Sequence, residues 1–206
     1  MVGAVSRWRT VLVTLITAYG LLIVVGVGLI YSGAHDIGAD SPHWGLISQV
    51  FDTARVRSIK AHAAGITPPT GLDDEAKILI GTEHFADHCA ICHGAPGVPK
   101  GDIAHGLYPE PPDLAVTSKR YTDAELFWIV KHGIKMTGMP SWADHGDDEL
   151  WATVVFLKKL PGMTPEEYGK LVMQVMSHGE QHHPGGSGDK GHDHEHEGAK
   201  QPQHQH

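Results

Sequence analysis

Cys89-Ala90-Ile91-Cys92-His93 is the stretch of this chain whose residue types and spacing could do chemistry. On a helix the two thiols lie at i and i+3, on one face. They can reach the two vinyl groups of one porphyrin and form thioether links. The histidine that follows at once can then ligate iron from the proximal side. Cys-x-x-Cys-His is the attachment sequence for c-type haem. It occurs once, and Cys89 and Cys92 are the only cysteines, which predicts one covalently held haem c and no disulfide. Competing readings want partners that are not visible: a redox dithiol wants a βαβ context, and a structural zinc site wants four ligands.

A second iron ligand is sought in Thr137-Gly138-Met139-Pro140. The Met139 thioether is a soft, neutral ligand that stabilises ferrous iron and raises the potential relative to two imidazoles. Gly138 gives the backbone freedom to bring the sulfur close, and Pro140 lowers the entropy cost of holding a weak ligand. The predicted iron ligands are therefore His93 and Met139, with Met136, His105, His132 or an open position as alternatives.

These residues must be positioned by helices, since no strand is convincing. The chain has 206 residues and a formal net charge of −8, which disfavours a nucleic-acid partner. Residues 1–32 hold Val11 to Tyr31, an uncharged run of 21 residues. That is enough for a helix of about 30 Å, the thickness of a bilayer core. Arg7 and Arg9 precede it and no Lys or Arg follows until Arg55, so the N-terminus stays cytoplasmic and the rest is exported. A cleaved signal peptide ending near Ser32-Gly33-Ala34 is the competing reading; the apolar run is longer than a usual signal core.

Residues 33–71 read as a connector and a juxtamembrane helix from Pro42 to about Ala64, with Trp44, Ile47, Val50, Phe51, Val56 and Ile59 recurring at helical spacing. It rests on lipid headgroups, on the haem domain or on a partner. Residues 72–161 read as the haem domain. Its first helix starts near Asp73 and delivers Cys89. A loop without secondary structure runs from Gly94 to about Tyr121. A capping box at Thr122–Glu125 starts a helix to about His132, and a last helix covers about Asp147 to Leu160. That last helix presents Leu150, Trp151, Val154, Val155 and Leu157 as one apolar face. Thr164-Pro165-Glu166-Glu167 opens one more helix over 162–177.

On three pieces the chain resembles the monohaem c-type cytochromes of the class I fold, membrane-anchored and bacterial. Gly81-Thr82-Glu83-His84-Phe85 is similar to the family's Gly-x-x-x-aromatic, where the glycine admits close approach of the last helix. Phe156-Leu157 resembles that last helix's aromatic-Leu pair, and Thr137 to Trp142 the distal-methionine loop. The resemblance covers about residues 72–161. It implies an all-α fold and haem attachment outside the cytoplasmic membrane. It also implies that His93 donates a hydrogen bond to a carbonyl near Pro111 or Pro112. Trp142 and Tyr121 are expected either against the haem or in ordinary core.

The expected function is single-electron transfer between redox proteins at the outer face of a bacterial cytoplasmic membrane, alone or as a subunit of a larger complex. No other catalytic constellation stands out, so the chain reads as a carrier and not itself an enzyme. A sensor or enzyme with a labile Met139 is the first alternative. Metal handling is the second. Eight of the 17 histidines fall in residues 178–206, from His178 to His206. With no apolar periodicity that tail is expected to be disordered, with loose capture of Cu, Ni or Zn as its functional reading.

Overall fold

A computed structural model describes residues 2–72 and 74–182; the histidine-tail expectations for 183–206, and the helix start near Asp73, lie outside the described residues. Helix α1 is Val2–Tyr31. Within it Arg7–Tyr31 has a mean hydropathy of 2.4 and none of it is buried. Length and composition therefore suit a membrane crossing.

Helix α2, Gly45–Ala63, buries Ile59 and Ala63 and packs its C-terminal half on α7, Asp123–His132. The His62 ring lies 5.4 Å from Trp128 of α7. At the other end, the backbone N–H of His43 donates to the Tyr108 hydroxyl over 3.0 Å. Of the three placements open to this helix, the structure shows packing on the haem-domain helices.

Helix α3, Glu75–His84, is capped by Asp74, whose carboxylate accepts from the Ala76 N–H. It runs on through a π-helical turn, Phe85–Cys89, into α4, Ala90–His93. Against it crosses α8, Asp147–Lys159. A Cβ on Gly81 would clash with the Ala152 carbonyl oxygen, well inside van der Waals contact, and stand 3.0 Å from the Phe156 Cβ. Only glycine lets the two backbones approach this far. One turn on, Phe85 and Phe156 meet with ring centroids 4.8 Å apart, both fully buried.

Two expectations need correcting here. Helix α8 buries every residue from Leu150 to Leu157, because α3 and α7 cover it from different sides; it does not present one apolar face only. The stretch 94–121 is also not free of secondary structure. It holds α5, Asp102–His105, α6, Leu114–Thr117, and a 3-10 turn, Ser118–Arg120. Each is too short to show a sequence period.

Helix α7 begins with the expected capping box. Thr122 Oγ1 accepts the Glu125 N–H, and the Glu125 carboxylate accepts the Thr122 N–H over 2.8 Å. Thr122→Ala should cost about 1 kcal/mol, read as a lower denaturation midpoint with the slope unchanged. Phe127 of α7 stacks on Trp151 of α8 at 4.2 Å. The last helix, α9, is Pro165–His182. It runs one turn past the end expected near Ser177 and packs on α3. Buried Tyr168 meets Phe85 and Phe156, each at 6.2 Å.

Candidate haem site

The turn from α3 into α4 sets the two thiols. The Ala90 N–H donates to the Phe85 carbonyl five residues back, so the helix carries one extra residue before Cys89–Cys92. Such π-turns recur at functional sites. Both cysteines are half-buried and free. Burial, with the Cys92 thiol beside it, pushes the Cys89 thiol up to about 12. It is thus held protonated and out of thiolate chemistry.

His93 Nδ1 lies 2.8 Å from the Pro112 carbonyl oxygen. A carbonyl only accepts, so Nδ1 carries the proton and Nε2 keeps its lone pair. Burial lowers the His93 pKa, opposed by the Pro112 bond, and a neutral imidazole is what iron requires. Lys100 braces this arrangement from below. Its ammonium donates to the Pro111 carbonyl and to the Glu110 carboxylate, each over 2.6 Å. Gly94, at φ +69°, ends α4; a Cβ there would stand 3.0 Å from the Val98 carbonyl oxygen.

The Met139 loop is closed on itself. Gly133, at φ +63°, ends α7, and a Cβ on it would stand 2.7 Å from the Met139 carbonyl oxygen. The Ile134 N–H donates to that same oxygen over 3.2 Å. Thr137 Oγ1 accepts the Met139 N–H over 3.2 Å. The Lys131 carbonyl accepts from the Trp142 N–H and from the Ser141 hydroxyl. A Cβ on Gly138 would meet Leu107 Cδ1 at 2.6 Å, so this loop touches the loop that carries Pro112.

Met139 is half-buried in this arrangement. Met136 is 82% exposed. His105 and His132 are exposed too. Trp142 is partly buried against the core, its ring 4.7 Å from His88 and 5.6 Å from His84. Tyr121 is likewise partly buried there.

The donor set fits a haem c. Two reduced thiols at i and i+3 precede a neutral histidine with a free Nε2, and a thioether stands on a braced loop. Residues 76–157, which contain all four donors, match the family described as cytochrome C oxidase, cbb3-type, subunit III. Residues 76–157 form a c-type cytochrome domain.

The cytochrome is also similar to a cbb3-type cytochrome c oxidase subunit FixPc of Rhizobium leguminosarum bv. viciae, at 30% identity over 120 residues. That match covers 57% of this chain and 39% of the relative, so the cytochrome spans less than half the length of the curated relative it matches. Its described residues are all-helical, and α1 is long and apolar enough to cross a membrane. Sequence reasoning missed Lys100 and Leu107, which brace the loops that carry Pro112 and Met139. It also missed a cluster of His84, His88, His145 and Glu149. The i,i+4 pairs His84/His88 and His145/Glu149 were the available signal.

Proposed function

We propose that Cys89 and Cys92 hold one haem through thioether links, that His93 and Met139 close the two axial positions of its iron, and that the chain passes single electrons without being an enzyme itself. The similarity to FixPc supports a place as the cytochrome subunit of a cbb3-type oxidase complex, beside the membrane partners of such a complex. When bound, the haem supplies a one-electron couple. The chain's residues hold its surroundings still. The Pro112 carbonyl fixes the His93 ring and raises its basicity. Gly133, Thr137 and Ile134 fix the Met139 backbone, so both ligands are in place before and after an electron arrives.

The observation that carries this reading is the His93–Pro112 bond, which puts the proton on Nδ1 and leaves the Nε2 lone pair for a ligand. Arg7 and Arg9, in the first turns of α1 ahead of its uncharged run, support a cytoplasmic N-terminus and an exported haem domain, with α1 retained as the anchor. Residues 72–161 carry 14 acids and 8 bases, which supports docking to a basic patch that weakens with salt. The histidines of 178–206 support, on composition alone, loose binding of Cu, Ni or Zn by the tail.

The test is optical. The solubilised protein should give low-spin ferric and ferrous spectra, a methionine-to-iron band in the ferric form, and a ferrous spectrum that carbon monoxide leaves unmoved. A ferrous spectrum shifted by carbon monoxide would overturn the closed site and put a sensor or enzyme in its place.

A further inference from the structure

Three histidines outside the haem donors converge between α3, the π-turn and the start of α8. One ring nitrogen from each of His84, His88 and His145 lies within 4.8 Å of the others. His84 is 2% exposed, and its Nε2 is buried with no hydrogen-bond partner. Leaving such an atom unpaired costs about 1–3 kcal/mol, so its place in the core asks for a ligand.

Glu149 supplies the orientation. Its Oε1 lies 2.6 Å from His84 Nδ1 and 3.1 Å from His145 Nδ1. A carboxylate oxygen accepts from both, so each ring carries its proton on Nδ1 and keeps a lone pair on Nε2. A carboxylate behind a histidine is the arrangement that fixes metal-binding imidazoles. His88 and His145 are both half-buried rather than locked in the core, so both can swing. The cluster borders an open groove lined also by Glu83, Asp87, Asp148 and Lys77, acidic on balance.

We propose that His84, His88 and His145 bind one divalent transition-metal ion of the imidazole-seeking kind, Zn(II) or Cu(II), with Glu149 as the positioning residue. Imidazole suits both ions, and Cu(II) binds the tighter of the two. A metal about 2.0–2.1 Å from each nitrogen sets tetrahedral donors about 3.3 Å apart, so the widest pair must close by about 1.5 Å. Ring rotation of His88 and His145 provides that. Three protein donors leave a fourth position for water. The site is independent of the axial-ligand assignment, because it shares no residue with it.

The test uses the full-length, haem-loaded protein and Zn(II) alone. After loading and dialysis, His88→Gln and His145→Gln should each retain one zinc fewer than the wild type, with unchanged haem spectra. The tail contributes equally to all three proteins and cancels. In the unmutated ferrous protein, zinc should shift the imidazole proton resonances of His84, His88 and His145 together, saturating at one equivalent. Equal zinc retention in all three proteins overturns the proposal. So do NMR shifts confined to the histidines of 178–206, a reading that needs no variant to fold.

Discussion

Met139→Ala should lower the midpoint potential by on the order of 0.2 V, within the roughly 0.8 V that axial ligands span, and should let ferrous iron bind carbon monoxide. The direction follows from what is lost. A thioether favours the ferrous state, and alanine offers no replacement donor. The loop around it should survive, because its closure runs through backbone and Thr137 rather than through the sulfur. Met136→Ala is the control: its side chain is 82% exposed, and its loss should leave the potential and the spectrum where they are. Potentiometry with a carbon monoxide titration reads both variants. A wild-type spectrum and potential in Met139→Ala would remove Met139 from the iron.

Gly81→Ala should destabilise the folded protein by ~3 kcal/mol or more, although alanine is the better helix former by about 1 kcal/mol. The new methyl would stand 2.6 Å from the Ala152 carbonyl carbon. That neighbour is backbone in the middle of a buried helix, and it can yield only if α3 and α8 part. Parting them would open the Phe85–Phe156 contact and the Tyr168 packing that closes over it. Gly169→Ala gives the opposite sign. A Cβ there meets nothing within 4 Å, so α9 should gain about 0.5–1 kcal/mol. Denaturant titration of the reduced protein compares the two. Equal effects would mean that the helix crossing tolerates a methyl group.

The long elements were legible in the sequence because their signals are local. The apolar run of α1, the capping box of α7 and the Thr164 box of α9 are each complete within a few residues. The Gly81 crossing was also anticipated, through the family resemblance, and so was the carbonyl that receives His93. Other features depend on contacts between distant segments. Nothing in residues 147–160 says that α3 and α7 will cover α8 on different sides, so its burial all round was out of reach. The π-turn at Phe85–Cys89 adds one residue without breaking the apolar pattern, and helical periodicity does not register it. His145 and Glu149 lie some sixty residues from His84 and His88, and only the fold brings them together. The short helices between Gly94 and Tyr121 take their shape from the loops they brace.

The docking of α2 on α7 bears on how far this cytochrome can roam. Were residues 32–74 a free tether, the haem could range widely above the bilayer. With Ile59 and Ala63 buried and His43 bonded to Tyr108, α2 travels with the haem domain, and the slack shrinks to residues 32–42. Eleven residues extend to at most about 40 Å. A leash this short keeps the domain in a thin shell next to the membrane. On the proposed reading, its effective concentration toward a neighbouring membrane protein would reach the millimolar range typical of short linkers. Electron delivery would then be fast with a weak docking surface, since such a carrier never has far to return.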